Sequence, residues 1–200
     1  MKIRAVIFDI GGVLIERVNR ARAKAFDKAT GIKGSYKKTK DLRRKFSKGQ
    51  LTTKEFIEQA SRKMGISQKK FLDIWKKTTR QRKIRKSVLQ LAEKIKKKGF
   101  IVGLISNTNP IDSTIFKKTL YNLFYPNIFE SHKLGYRKPE KEIYEIALKK
   151  LKVKPSETVF IDDRIKNVVG ARKLGIKAIH FESYKKLIKD LKKLGIIGRR

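Results

Sequence analysis

The stretch Ala5-Val6-Ile7-Phe8-Asp9-Ile10-Gly11-Gly12-Val13-Leu14 decides the fold of this chain. Four apolar residues read as a buried strand, and Asp9 stands at its mouth. Two glycines follow and let the backbone turn sharply against whatever the carboxylate touches. Position 11, two residues beyond the carboxylate, has no side chain to act as acid or base. Three later segments repeat the layout of an apolar run that stops at polar residues. Phe100 to Ile105 leads into Ser106-Asn107-Thr108, Thr158 to Ile161 into Asp162-Asp163, and Ala178 to Phe181 closes the series.

These runs are short, β-branched and not strictly alternating, as parallel strands covered on both faces should be. Helical periodicity lies before three of them, at Val88-Leu89-Leu91-Ala92-Ile95, Ile143-Ile146-Ala147-Leu151 and Val168-Val169-Ala171-Leu174. Gly99 and Gly175 fit C-caps of two of these helices. Strands alternating with helices predict an α/β fold: a doubly wound, Rossmann-like parallel sheet. Residues 16–86 break the alternation. They show helical patterns only, with a capping box at Thr52-Thr53-Lys54-Glu55 and an N-cap at Ser67. We expect a core of residues 1–15 and 87–200 with an inserted helical cap at 16–86. Phe71 and Trp75, four apart, read as cap core. The stretch from Tyr184 to Leu194 reads as a basic amphipathic helix packed on the sheet.

Composition narrows the chemistry. There is no cysteine and there are two histidines, His132 and His180, so thiolate chemistry and a histidine zinc site are excluded. A resident metal would be a hard ion on carboxylates. The chain carries 53 Lys and Arg against 18 Asp and Glu, a net +35. Eighteen acids can neutralise only eighteen cations, so ion pairing does not absorb the imbalance. Residues 16–86 hold 25 basic and 6 acidic side chains, a net of +19. Such a surface should attract nucleic acid non-specifically. With no signal-like leader and no apolar stretch of membrane-spanning length, a soluble, cytoplasmic protein is expected.

In open parallel sheets ligands bind beyond the carboxyl ends of the strands. Asp9, Ser106-Asn107, the loop Gly135-Tyr136-Arg137-Lys138-Pro139 and Asp162-Asp163 should therefore meet in one crevice. The set suits phosphoryl transfer. Asp9 can attack phosphorus. Magnesium held by Asp9, Asp163 and a backbone carbonyl near Gly11 can neutralise the repulsion between carboxylate and phosphate. Ser106 and Asn107 can donate to phosphoryl oxygens, and Lys138 adds a point charge.

FDIGGVL, LISN, GYRKPEKEIY and FIDDRIKNV, in this order with a helical insertion after the first, resemble the four motifs of the haloacid dehalogenase superfamily. SKGQLTTKEF and SHKLGYRKPEKEIY are similar to its sugar-phosphate phosphatases and to the phosphatase domain of soluble epoxide hydrolases. The resemblance implies a magnesium-dependent phosphomonoester hydrolase acting on a small phosphorylated metabolite. It implies Asp9 as nucleophile, Ser106 as the motif-two hydroxyl, and Lys138 as the motif-three lysine. Asp163 becomes the direct metal ligand, Asp162 acts on the metal through water, and Asn167 supports them. Most phosphatases of this superfamily carry a second aspartate where Gly11 stands. Dehalogenases proper also lack it, but Asp162-Asp163 suits a metal that they do not use. Two alternatives stay open at this point: a phosphatase on nucleic-acid ends or another polyanion, and a low-activity or non-catalytic binder. His132, close in sequence to Lys138, is within reach of the crevice.

Overall fold

The structure is a computed structural model and describes residues 2–198, the side chains of Lys118 and Thr119 excepted. Five strands form one parallel sheet: β1 (Ala5–Phe8), β2 (Ile101–Ser106), β3 (Ile128–Glu130), β4 (Thr158–Asp162) and β5 (Lys177–His180), in the order β3-β2-β1-β4-β5. Residues one apart on β1 point to opposite faces, and both faces are apolar, so each half of Ala5-Val6-Ile7-Phe8 feeds its own core. Val6 and Phe8 pack with Val102, Leu104, Val159 and Ile161 beneath α5 (Lys86–Lys97), α6 (Pro110–Phe124) and α10 (Tyr184–Lys193). Ala5 and Ile7 pack with Ile105 and Phe160 beneath α8 (Lys141–Leu151) and α9 (Ile165–Lys173). β1 is the point where strand order reverses, since it pairs with β2 on one side and β4 on the other. Its carboxyl end, and thus Asp9, is the switch-point crevice of the sheet.

Besides the four-residue α7 (Ser131–Leu134), two core elements went unread in the sequence. β3 is only three residues long, too short for periodicity to register. α6 mixes polar and apolar positions, with Asp112 buried on its inner side beside Ile111, so no clean apolar stripe registers. Its start was nonetheless signalled: Asn109 caps it by accepting from the Asp112 N–H, with Pro110 in the first turn.

Between β1 and α5 lie α1 (Asn19–Thr30), a 3-10 turn at Ser35–Thr39, α2 (Lys40–Phe46), α3 (Thr53–Met64) and α4 (Gln68–Arg80). They enclose an aromatic cluster of Phe26, Phe46, Phe56, Phe71 and Trp75, with Phe46 and Phe56 stacked at 4.1 Å. The Thr52–Glu55 capping box and the Ser67 cap form as the sequence predicts. The chain leaves and re-enters the core at Ile15 and Ile84, which bridge each other. Gly99 and Gly175 take left-handed φ values of 87° and 82° just past α5 and α9. No helix among the described residues is long and apolar enough to cross a membrane.

A buried polar knot ties the helical insertion to the sheet domain. Asp112 of α6 accepts from Arg22 Nη2 of α1 at 3.1 Å, from Trp75 Nε1 at 3.0 Å and from Thr79 Oγ1 at 2.7 Å. The Arg22 guanidinium also sits 4.0 Å from the Trp75 ring centroid. Removing one partner of a buried pair strands the other charge, so Asp112→Ala should cost about 3–5 kcal/mol in denaturant unfolding. Burial alone would raise the Asp112 pKa. Arg22 and the Thr79 hydroxyl outweigh it and hold the pKa below the ordinary 3.8. The knot's stabilisation is thus complete above that value and is lost as pH falls through the lower folded-state pKa.

Candidate active site

Lys138 is the centre of the site. It is 2% exposed, and its Nζ lies 2.7 Å from Asp9 Oδ1 and 2.7 Å from Asp162 Oδ2 and donates to the Ile105 carbonyl at 2.6 Å. All three ammonium protons therefore have partners, as a buried cation requires. Burial would lower the Lys138 pKa, but Asp162 and Asp9 overcome it and raise it. Burial pushes the Asp9 carboxyl up to about 6; Lys138 opposes this, while Asp162 and Asp163 add to it.

Asp9, Ser106 and Asp162 come from three strand ends, and Lys138 from the loop before α8. Asp9 follows β1, and its N–H donates to the Ile161 carbonyl of β4 at 2.8 Å. Asp162 ends β4 fully buried. It accepts from Asn167 Nδ2 at 3.1 and 3.0 Å and from the Arg164 N–H at 2.8 Å. Asn167 thus supports Asp162 directly. Ser106 ends β2, buried against the cavity, and has no side-chain hydrogen bond among the described residues.

Asn107 has a bracing role that the sequence did not disclose. Its Nδ2 donates to the Lys138 carbonyl at 2.8 Å and its Oδ1 accepts from the Lys138 N–H at 2.8 Å. The carboxamide thus braces the Lys138 loop, and its second Nδ2 proton is left over on a side chain that lines the cavity. His132 is half-buried and does not line the cavity, contrary to its nearness in sequence. His180 is better placed, with Nε2 3.2 Å from the Asp163 carbonyl oxygen.

Asp9, Asp162 and Asp163 each offer an oxygen, and the three lie within 4.8 Å of one another. One oxygen of Asp163, Oδ1, is buried without a hydrogen-bond partner, while Oδ2 is paired with the Arg17 guanidinium. An orphaned carboxylate oxygen beside two further carboxylates is a donor set that fits a hard cation. Gly12 makes this approach feasible: at φ 100° a Cβ there would fall 1.7 Å from Asp163 Oδ2. Gly11 has no such φ, and a Cβ there would meet only Arg82 Nη2, at 3.2 Å.

Arg82 is the residue the sequence did not disclose. It arrives from the end of the helical insertion, with Nε donating to the Glu16 carbonyl at 2.9 Å and its guanidinium 5.1 Å from the Phe116 ring centroid. It stands where the second aspartate of the resembling phosphatases would project. Arg17 was missed likewise. Neither position has a local signature, because each is brought to the site by long-range packing. Asp9, Lys138, Ser106, Asn107, Arg17 and Arg82 line one cavity of about 680 Å³ between the helical insertion and the strand ends, and Asp162 and Asp163 are not part of its lining.

The model of the haloacid dehalogenase-like hydrolases matches residues 3–175. The chain is 26% identical over 180 residues to a sesquiterpene phosphatase of Aspergillus oryzae, covering 88% of this chain and 89% of that protein. It is 27% identical over 196 residues to a D-ribitol-5-phosphate phosphatase of Bacteroides thetaiotaomicron, covering 90% and 93%. Bifunctional epoxide hydrolases are also matched, but the chain spans only 21–39% of their length. Among solved structures, the magnesium complex of a haloacid dehalogenase family enzyme from Bacteroides thetaiotaomicron superposes with a TM-score of 0.81 at 27% identity, covering 94% of this chain and all of that one. The sheet order, the strand-end carboxylates and these matches agree, and the chain belongs to the haloacid dehalogenase-like hydrolase family.

Proposed function

We propose that this protein is a magnesium-dependent phosphomonoester hydrolase acting through an aspartyl-phosphate on a small phosphorylated metabolite. One observation carries the reading: Lys138 is buried between Asp9 and Asp162 while an Asp163 oxygen beside them has no partner. A cation-bridged carboxylate with an open cation position beside it is what an anionic phosphoryl group needs in order to approach. The similarity to two named phosphatases over most of the chain supports it.

Asp9 attacks phosphorus, the bond from phosphorus to the leaving oxygen breaks, and water later cleaves the acyl phosphate to return the carboxylate. Lys138 and the Ser106 hydroxyl take the phosphoryl oxygens. Asp9, Asp163 and the Gly11 carbonyl, with Asp162 beside them, would hold magnesium, which would supply positive charge to offset the repulsion between nucleophile and phosphate. Asn107 keeps Lys138 in register, and Asn167 keeps Asp162 oriented. The chain's own contribution is thus positioning and charge, the larger part of catalysis for a loose transition state.

Gly11 gives this active site its particular character. Arg82, permanently charged, faces the position of the missing acid. It stabilises a leaving oxygen as an anion and cannot readily supply a proton. Gly11→Asp alone should therefore change kcat little, because the new carboxylate pairs with Arg82 and stays ionised. Gly11→Asp combined with Arg82→Gln should raise kcat on alkyl phosphates by about tenfold, short of the ~10²–10⁴-fold of a tuned acid–base group. Steady-state kinetics on both variants decides it; a large gain from Gly11→Asp alone would show that Arg82 does not govern this position. The proposal as a whole is tested by p-nitrophenyl phosphate hydrolysis with magnesium, and again after chelation. Turnover that survives full chelation would refute it.

A further inference from the structure

The cavity wall carries a second set of cations that the chemistry at phosphorus does not use. Lys40 and Arg44 come from α2, and Arg137, Arg164 and Lys166 come from the loop before α8 and the start of α9. All five line the cavity that holds Asp9. Among the described residues, the side chains of Lys40, Arg137, Arg164 and Lys166 make no hydrogen bond or ion pair. Arg44 has one contact, 3.8 Å to Glu140, which Lys48 already holds at 2.9 Å.

We propose that the substrate bears a second phosphate, remote from the one transferred, which binds between α2 and the Arg137–Arg164–Lys166 edge of the core. The substrate class is a small bisphosphorylated metabolite. This deepens the phosphatase reading and rests on it.

A merely solvated basic face would leave each charge separately in water. Here Arg137 and Arg164 are half-buried, and cations from separate segments converge across one cleft. Burial lowers the Arg137 pKa, and Arg44 and Arg164 lower it further; burial and then Arg164, Arg137, Arg44 and Lys40 do the same to Lys166. The cluster is therefore mutually repulsive until an anion enters. Guanidinium groups also match phosphate oxygens in paired hydrogen bonds, which favours phosphate over a diffuse polyanion. Since the cluster spans helical insertion and core, the same anion would draw α2 down over the strand ends.

The test compares fructose 1,6-bisphosphate with fructose 6-phosphate as probes. Calorimetric binding to the Asp9→Asn chain removes any dependence on turnover. The bisphosphate should bind about tenfold or more tightly. That preference should vanish in Asp9→Asn with Arg44→Gln and Lys166→Gln, while Arg44→Gln/Lys166→Gln in the otherwise unaltered chain leaves p-nitrophenyl phosphate turnover intact. Equal binding of the two sugars overturns the proposal, even where p-nitrophenyl phosphate is hydrolysed normally. Failure to hydrolyse p-nitrophenyl phosphate overturns the phosphatase reading on which it rests. A 5′-phosphorylated oligonucleotide that outcompetes the bisphosphate, with steep salt dependence and no loss in the Arg44→Gln/Lys166→Gln background, would overturn it in favour of a nucleic-acid end.

Discussion

Asp9→Asn abolishes magnesium-dependent hydrolysis of p-nitrophenyl phosphate, lowering kcat by on the order of 10⁴–10⁶-fold, the range seen when a covalent nucleophile is lost. The substitution keeps the shape of the side chain and removes its charge and its nucleophilic oxygen. It also removes one of the three carboxylates that converge beside Gly12, so magnesium affinity falls as well. The same logic gives a pH dependence in the unaltered chain. Asp9 in the metal-free site is held up to about 6, first by burial. Metal binding requires the ionised carboxylate, so magnesium affinity should weaken as pH falls through about 6 and be pH-independent well above it. Steady-state kinetics and a magnesium titration at several pH values check both. Activity in Asp9→Asn within tenfold of the parent would remove Asp9 from the chemistry.

Lys138→Met leaves Asp9 and Asp162 facing each other in a buried site with no cation between them. Lys138 is nearly inaccessible and both carboxylates contact the same Nζ, so no neighbouring lysine or water shell replaces it. Two effects follow. The phosphoryl group loses a preorganised donor, worth on the order of 10²–10³-fold in kcat. Asp9, deprived of its counter-ion, takes up a proton more readily, so its pKa rises further and metal binding weakens. Unfolding should show a loss of about 3–5 kcal/mol without metal, as for a broken buried ion pair, and magnesium should restore part of it. Lys138→Arg should not rescue kcat. A planar fork cannot place one nitrogen on Asp9, Asp162 and the Ile105 carbonyl together. A Lys138→Met enzyme with unchanged kcat would mean that Lys138 serves the fold alone.

The sheet was legible because its central strands are concentrated runs such as Ala5-Val6-Ile7-Phe8 and Thr158-Val159-Phe160-Ile161, bounded by polar residues. Strand ends are also where parallel sheets place ligands, so Asp9, Ser106, Asp162 and Asp163 could be picked out from order alone. The Thr52 and Ser67 caps were legible because capping depends on residues three apart. β3 and α6 were not, one for its length and the other because buried Asp112 interrupts its apolar pattern. The site's finer wiring was hidden for a different reason. Nothing local in the sequence shows that the Asn107 carboxamide fits the Lys138 backbone in both directions. Arg82 and Arg17 sit in a highly basic segment where no single arginine stands out. Only the packing of the helical insertion against α6 brings Arg82 to Gly11. Net charge told still less, since it cannot say which of 53 cations face one cavity.

The central claim is that Asp9 becomes phosphorylated. The most direct measurement is to mix the protein with p-nitrophenyl phosphate and magnesium, quench in acid within the first turnover, and map the peptides by mass spectrometry. The account predicts one added phosphoryl group on the peptide containing Asp9, labile to hydroxylamine and absent from Asp9→Asn. Phosphate release without a phosphorylated Asp9, or with the phosphoryl group on another residue, would contradict it.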